Sequence, residues 1–203
     1  MSEIKIYDDL IGQNQFKVIQ ESFMGTRMPW IYQDFIVCDE DLTCDKKHNQ
    51  QFYIVVYDNY GPTSEAFELM QPIIMHKDLN IQSLVKIKAN CNVRTEEVVS
   101  HGMHCDVPFT CTTAVYFIND NDGYTTFEDG TRVESVANRM VTFPSTMKHS
   151  GSTCTDQKRR VVINFNYFAA PLNETPEYLD KYYGLERKSP METPPPNQRR
   201  LIY

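Results

Sequence analysis

Residues 113–130 read TAVYFINDNDGYTTFEDG. Thr113–Ile118 is apolar on both faces, as a strand buried between two layers must be. Asn119-Asp120-Asn121-Asp122-Gly123 is turn chemistry, Tyr124–Phe127 returns, and Glu128-Asp129-Gly130 turns again. Working outward, Arg132–Val136, Arg139–Phe143 and Arg160–Phe168 continue the series of short strands. Upstream, Leu84–Ala89 alternates Leu84, Lys86 and Lys88 against Val85, Ile87 and Ala89, one face cationic and the other apolar.

The first part of the chain has a different period. Residues 8–24 predict a helix, with Asp8 or Asp9 as its cap and Phe16, Ile19 and Phe23 on one stripe. Met28-Pro29-Trp30 breaks it, and Gln51–Tyr57 reads as a strand. Thr63–His76 predicts a second helix, with Glu65 and Glu68 early, His76 and Lys77 late, and Pro72 kinking or dividing it. Helices followed by packed antiparallel strands predict a mainly β, α+β architecture: a β-barrel-like core buttressed by helices.

Composition narrows the function. A chain of 203 residues, 41% hydrophobic and 12% aromatic, is enough for one domain with a real core. A formal net charge of −7 argues against nucleic acid as the main partner. No apolar run reaches 18 residues, and Met1-Ser2-Glu3-Ile4-Lys5 lacks the pattern of a secretory leader. Six cysteines without a C-x-x-C pair read as free thiols in a reducing cytoplasm.

The chemistry concentrates in His104-Cys105-Asp106 and His149. Residues i and i+2 of a strand point the same way, so His104 and Asp106 can reach one ion that His149 approaches from another strand. Two imidazoles and a carboxylate form a facial triad suited to non-haem Fe(II), with positions left open. His101 could at best line an entrance, His48 reads as solvated, and His76 as a helix C-terminal charge. On the last strand Arg160, Val162, Asn164 and Asn166 share one face, and Val161, Ile163, Phe165 and Tyr167 the other, which is plainly core. The mixed face suits a polar cavity wall. Arg160 is therefore the candidate for gripping the far carboxylate of a 2-oxo acid, with Arg159 a solvated neighbour.

From about Leu84 to Phe168 the sequence resembles the Fe(II)/2-oxoglutarate-dependent dioxygenases, and within them the prolyl 4-hydroxylase-like branch. Gly123-Tyr124-Thr125-Thr126-Phe127 resembles that branch's glycine-threonine-phenylalanine strand, and Arg160–Phe165 its final strand. The helices and Met28-Pro29-Trp30 are similar to small oxygenases carried by phages of marine cyanobacteria. The resemblance implies a double-stranded β-helix, a jelly-roll or cupin-like barrel. It implies catalytic metal ligands His104, Asp106 and His149, with Fe(II), 2-oxoglutarate and O₂ as cofactor and co-substrates and ascorbate in support. It also implies decarboxylation of 2-oxoglutarate to succinate and CO₂, coupled to hydroxylation of a C–H bond. Cofactor-binding residues are then Arg160, Thr125, Tyr116 and Asn164. The departures are Phe117, which cannot hydrogen-bond where the branch often has tyrosine, and Asn166, where the nucleic-acid dealkylases carry a second arginine. Lys86 or Lys88 could also serve the co-substrate.

The substrate expected from this reading is a peptidyl or protein residue such as proline. The alternatives are a free amino acid or small metabolite, or a non-catalytic β-barrel binding module. Cys91–Gly102, polar and without strong period, reads as a mobile segment over the site. The expected organisation is one oxygenase domain over 1–170, with a helical buttress 1–83 and a β-helix core 84–170. A Pro- and Tyr-rich tail follows over 171–203, possible means of homodimerisation. The expected location is the cytoplasm, that of the host if the protein is viral, with no membrane partner.

Overall fold

The computed structural model describes residues 3–170. The expectations for the tail, including dimerisation through it, lie outside the described residues. The elements in order are β1 (Lys5–Tyr7), α1 (Gln13–Met24), β2 (Ile31–Gln33), β3 (Gln51–Asp58), β4 (Gly61–Pro62), α2 (Gln71–Ile74), β5 (Ile81–Val93), β6 (Thr112–Phe117), β7 (Tyr124–Phe127), β8 (Arg132–Glu134), β9 (Met140–Pro144), β10 (His149–Gly151) and β11 (Arg159–Ala169). Short 3₁₀ turns occupy Lys46–His48 and Glu65–Met70.

An eight-stranded sheet runs β1-β9-β6-β11-β5-β3-β2, with β4 beside β3, and a small sheet runs β10-β7-β8. Every pairing is antiparallel. This is the double-stranded β-helix, mainly β with few helices.

The large sheet is buried on both faces, which explains why its central strands lack a polar side. On one face Tyr116, Ile118, Val161, Ile163 and Phe165 meet Phe16, Ile19 and Phe23 of α1, and Ile73 of α2. On the other face Val115, Phe117 and Val162 pack with Phe127, Val133, Val141 and Phe143 between the sheets. That second core fills only part of the gap. The remaining space is polar and holds the candidate site.

Three elements differ from expectation. The first helix starts at Gln13, not residue 8, because both candidate caps are otherwise engaged. Asp8 pairs with Arg139 at 2.5 Å, and Asp9, at φ 49°, accepts from Gln13 Nε2 at 2.9 Å. The second helix opens as the Glu65–Met70 turn, with Ser64 Oγ accepting from the Ala66 amide at 3.2 Å. Pro72 then sits in the first turn of α2, where its missing N–H has no intrahelical acceptor to lose. Cys91–Gly102 is also tied down. Cys91, Asn92 and Val93 complete β5 against β11. Arg94, Thr95 and His101 donate backbone N–H groups to Lys158, Cys154 and Gly151. Bonded through Thr95 and again from Val99, the segment lacks the free backbone of a lid except over Glu96, Glu97 and Val98.

Candidate active site

His104 and His149 face each other across an isolated antiparallel bridge, exchanging N–H···O bonds of 2.9 and 3.0 Å. Their rings lie 4.8 Å apart. The chain bends immediately after, so the carboxylate of Asp106 returns through a turn rather than along a strand. Asp106 Oδ1 lies 3.6 Å from His104 Nε2 and 3.7 Å from His149 Nε2. Its Oδ2 accepts from Asn164 Nδ2 at 3.4 Å. One ligand atom from each residue falls within 4.8 Å of the others. Cys105 between them is exposed, with Sγ 3.6 Å from the Thr146 carbonyl.

The residues around the cluster favour a metal-ready protonation pattern. His104 Nδ1 lies 3.2 Å from the Gly102 carbonyl, and an Nδ1–H donor there leaves the Nε2 lone pair facing Asp106. His149 is walled by Phe143, edge-on at 4.8 Å, and burial holds its pKa below the ordinary value. Burial opposes ionisation of Asp106, but the hydrogen bond from His104 and the fields of both imidazoles outweigh it. The carboxyl falls to about 2. Burial would also lower His104, yet its bond to Asp106 and that carboxylate's charge raise it above the usual histidine value. Ion-free, the carboxylate draws a proton onto the neighbouring imidazole; a divalent cation takes the proton's place. Two imidazole nitrogens, one carboxylate oxygen and no thiolate match the donor preference of Fe(II).

Arg160 lies at the far end of the same cavity, which encloses about 260 Å³. It is 2% exposed and donates from Nε to Ser135 Oγ at 2.8 Å, from Nη1 to the Ser152 carbonyl at 3.3 Å, and from Nη2 to Thr125 Oγ1 at 3.0 Å. Its guanidinium sits 5.5 Å over the Phe117 ring. Burial lowers its pKa only to about 10, so it is charged at neutral pH. Among the described residues no carboxylate lies within ion-pair distance. All three acceptors are neutral, and a guanidinium offers five N–H donors, so the fork keeps capacity for an anion. Gly123 makes room for it: a Cβ there would lie 2.6 Å from Arg160 Cδ and 2.5 Å from the Thr153 carbonyl.

Strand parity holds along β11. Arg160, Val162, Asn164 and Asn166 all line the cavity, while Arg159 reaches across the other face to the Met24 carbonyl instead of standing in water. Thr125 contacts Arg160, and Asn164 contacts Asp106, so both candidates are in the site. Tyr116 is not. Its neighbours Val115 and Phe117 face the gap between sheets, and Tyr116 therefore faces the helices. There its hydroxyl donates to Asn138 Oδ1 at 2.6 Å and its ring meets Phe16 edge-on. It cannot reach a co-substrate held by Arg160.

The sequence reading missed Ser135, a hydrogen-bond partner of Arg160, and misplaced His101. Ser135 lies two residues beyond buried Val133, and this inward parity was the available signal. His101 is 2% exposed rather than at an entrance. Its Nδ1 contacts the Gly151 carbonyl at 3.1 Å, its Nε2 has no partner among the described residues, and burial pushes its pKa down to about 4, so it is neutral. Lys86 and Lys88 also line the cavity, at the end opposite Arg160. The six cysteines are all free thiols, and among the described residues no helix is long and apolar enough to cross a membrane.

No protein-family profile matches the chain, and no curated protein matches it by sequence. Solved structures do. The prolyl-4-hydroxylase of Pseudomonas putida is similar with a TM-score of 0.52 at 12% identity, over 84% of this chain and 94% of that one. A Trichoplax adhaerens prolyl hydroxylase, bound to a peptide fragment of the hypoxia-inducible-factor oxygen degradation domain, gives 0.54 at 12% identity, over 81% and 83%. The non-haem alpha-ketoglutarate-dependent carbocyclase SnoK from nogalamycin biosynthesis gives 0.58 at 12% identity, over 95% and 90%. The chain thus has the fold of the 2-oxoglutarate–Fe(II) oxygenases.

Proposed function

We propose that the protein is an Fe(II)- and 2-oxoglutarate-dependent dioxygenase that hydroxylates a C–H bond. The observation that carries this reading is Arg160: a charged, buried guanidinium without an acid partner among the described residues, in one cavity with a His-Asp-His cluster. An unpaired buried charge is costly, and a site that keeps one invites a ligand of opposite sign. His104, Asp106 and His149 would hold the iron. Arg160 and Thr125 would hold the distal carboxylate of 2-oxoglutarate, with Ser135 and Ser152 fixing the fork. Iron held there would supply the activation of O₂ needed for oxidative decarboxylation of the co-substrate and oxidation of the substrate. The chain's own residues orient the two partners. Asn164 keeps the second oxygen of Asp106 turned away from the histidines. Phe127, Phe143 and Val162 exclude water from one side of the cluster.

A peptidyl residue such as proline is the leading substrate, in line with the prolyl 4-hydroxylase-like sequence features and with the peptide carried by one structural neighbour. A free amino acid or small metabolite is the second reading, favoured by the modest cavity. The free thiols suit the cytoplasm, and the phage resemblance suits that of a bacterial host. Residues 1–170 form the oxygenase domain in this reading, with 1–83 buttressing 84–170. The test is release of CO₂ from carboxyl-labelled 2-oxoglutarate. It should require Fe(II), respond to ascorbate, and disappear in His149→Ala; a non-catalytic binding module releases none.

A further inference from the structure

The cavity floor is a ladder of cross-strand pairs between β11 and β5: Arg160 opposite Asn92, Val162 opposite Asn90, Asn164 opposite Lys88, and Asn166 opposite Lys86. Its two ends are both cationic, and the proposed iron ligands lie between, beside Asn164. Lys86 has a partner in Asp58 at 3.6 Å. Lys88 has none among the described residues. Its ammonium rests on a neutral amide, Gln33 Oε1 at 3.2 Å, and over the Tyr53 ring at 4.7 Å. Asp106, the carboxylate in the same cavity, is turned toward the two histidines and Asn164. Around Lys88 the amide oxygens of Asn90 and Asn164 are buried without partners among the described residues, and as acceptors they suit a proton-bearing group of a ligand beside its carboxylate.

We propose that Lys88 holds a carboxylate of the second substrate, the molecule to be oxidised. The inference rests on the oxygenase reading above and deepens it. One co-substrate does not serve both cations. Arg160 and the rung of Lys88 are four residues apart along β11, about 14 Å at the usual rise of an antiparallel strand. The four C–C bonds of 2-oxoglutarate, about 1.5 Å each, give a contour of about 6 Å. The Lys88 ammonium is displaced sideways from β11 besides, across β3 to Gln33 of β2, which shares the rung of Arg160 but lies three strands from it, about 14 Å at the usual strand spacing. Beyond Asn166 on the same face of β11, Phe168 stacks on Phe109, rings 6.2 Å apart, and both are nearly half exposed. By the same measure this aromatic ledge lies about 14 Å along the ladder from the rung of Lys88, at its outer end, within reach of an elongated substrate. The acid could belong to a free molecule or to an acidic side chain of a peptide.

The test uses the full chain loaded with Zn(II) and 2-oxoglutarate, its lysines reductively methylated with a carbon-13 label. Each lysine then gives its own NMR signal, and Lys88→Arg assigns the one shifted by the Tyr53 ring. The probes are phenylpropionate against phenylpropionamide, and acetyl-phenylalanyl-glutamyl-alaninamide against its glutaminyl counterpart. The Lys88 signal should move saturably with a carboxylate probe and at least tenfold more weakly with the matching amide; the responding pair tells free acid from peptide. By calorimetry Lys88→Met should lose the carboxylate preference, Lys88→Arg should keep it, and both should bind 2-oxoglutarate within twofold of the parent. Equal response to acid and amide overturns the proposal. So does a tenfold loss of 2-oxoglutarate affinity in Lys88→Met, which would assign this lysine to the co-substrate. Absence of 2-oxoglutarate uptake by the parent protein overturns the oxygenase reading itself, and this inference with it.

Discussion

Replacing Arg160 by methionine separates the proposed anion site from the metal site. The guanidinium makes three hydrogen bonds, all to neutral oxygens, and no ion pair with a described residue. Removing it therefore strands no buried carboxylate. The Ser135 and Thr125 hydroxyls can turn to other acceptors, and losing a desolvated charge offsets the lost bonds, so the ligand-free protein should lose little stability. The co-substrate should suffer instead. A charge-assisted, two-pronged bond is worth about 1.5–3 kcal/mol, on the order of tenfold to a hundredfold in affinity. Linkage makes this visible in a melt. At a 2-oxoglutarate concentration of 100 times Kd the parent is stabilised by about 2.7 kcal/mol, and after a hundredfold loss of affinity the same concentration gives about 0.4 kcal/mol. Anaerobic calorimetry with Fe(II) measures both affinities. Arg160→Lys should fall between, keeping charge but losing the fork. Unchanged 2-oxoglutarate affinity in Arg160→Met, or a loss in Arg159→Ala instead, would refute the assignment.

The metal site gives its own expectations. Alanine at His104, Asp106 or His149 should remove most bound iron, measured as metal per chain after desalting, since two ligands hold a labile ion poorly. Iron affinity should fall as pH drops through the raised His104 value, by up to about tenfold per unit for one competing proton. In the ion-free protein the sign is opposite for stability: the His104–Asp106 contact helps below the ordinary histidine pKa and is lost as pH rises through the raised one. Gly123→Ala forces a Cβ against Arg160 and the Thr153 carbonyl, so 2-oxoglutarate binding should weaken by tenfold or more while iron content holds. Tyr116→Phe should cost about 1 kcal/mol in denaturant unfolding, through the lost bond to Asn138, and leave the 2-oxoglutarate KM unchanged.

Much of this was legible in the chain because a strand's period of two fixes which side chains share a face. On β11 that period alone separated Arg160 from Arg159 and grouped Asn164 and Asn166 with the cavity. The same logic holds for β6: with Val115 and Phe117 facing the gap between sheets, Tyr116 has to face α1. The structure brings His104 and Asp106 together by a different route from the strand parity that grouped them, since a bend rather than a strand returns Asp106. His101 was unreadable for another reason. It is bonded to Gly151, 50 positions later, and to Thr43, 58 positions earlier, and no local pattern announces such contacts. The start of α1 was misplaced because Asp8 is taken by Arg139, again a long-range partner.

The central claim is that O₂ reduction here is coupled to 2-oxoglutarate. It is tested most directly by supplying heavy-oxygen-labelled O₂ to the Fe(II)-loaded protein with 2-oxoglutarate and reading the succinate by mass spectrometry. The account predicts succinate carrying one labelled oxygen atom, formed one-for-one with CO₂ and absent from the Asp106→Ala protein. Succinate without the label, or none at all from protein that holds stoichiometric iron and binds 2-oxoglutarate, would contradict it.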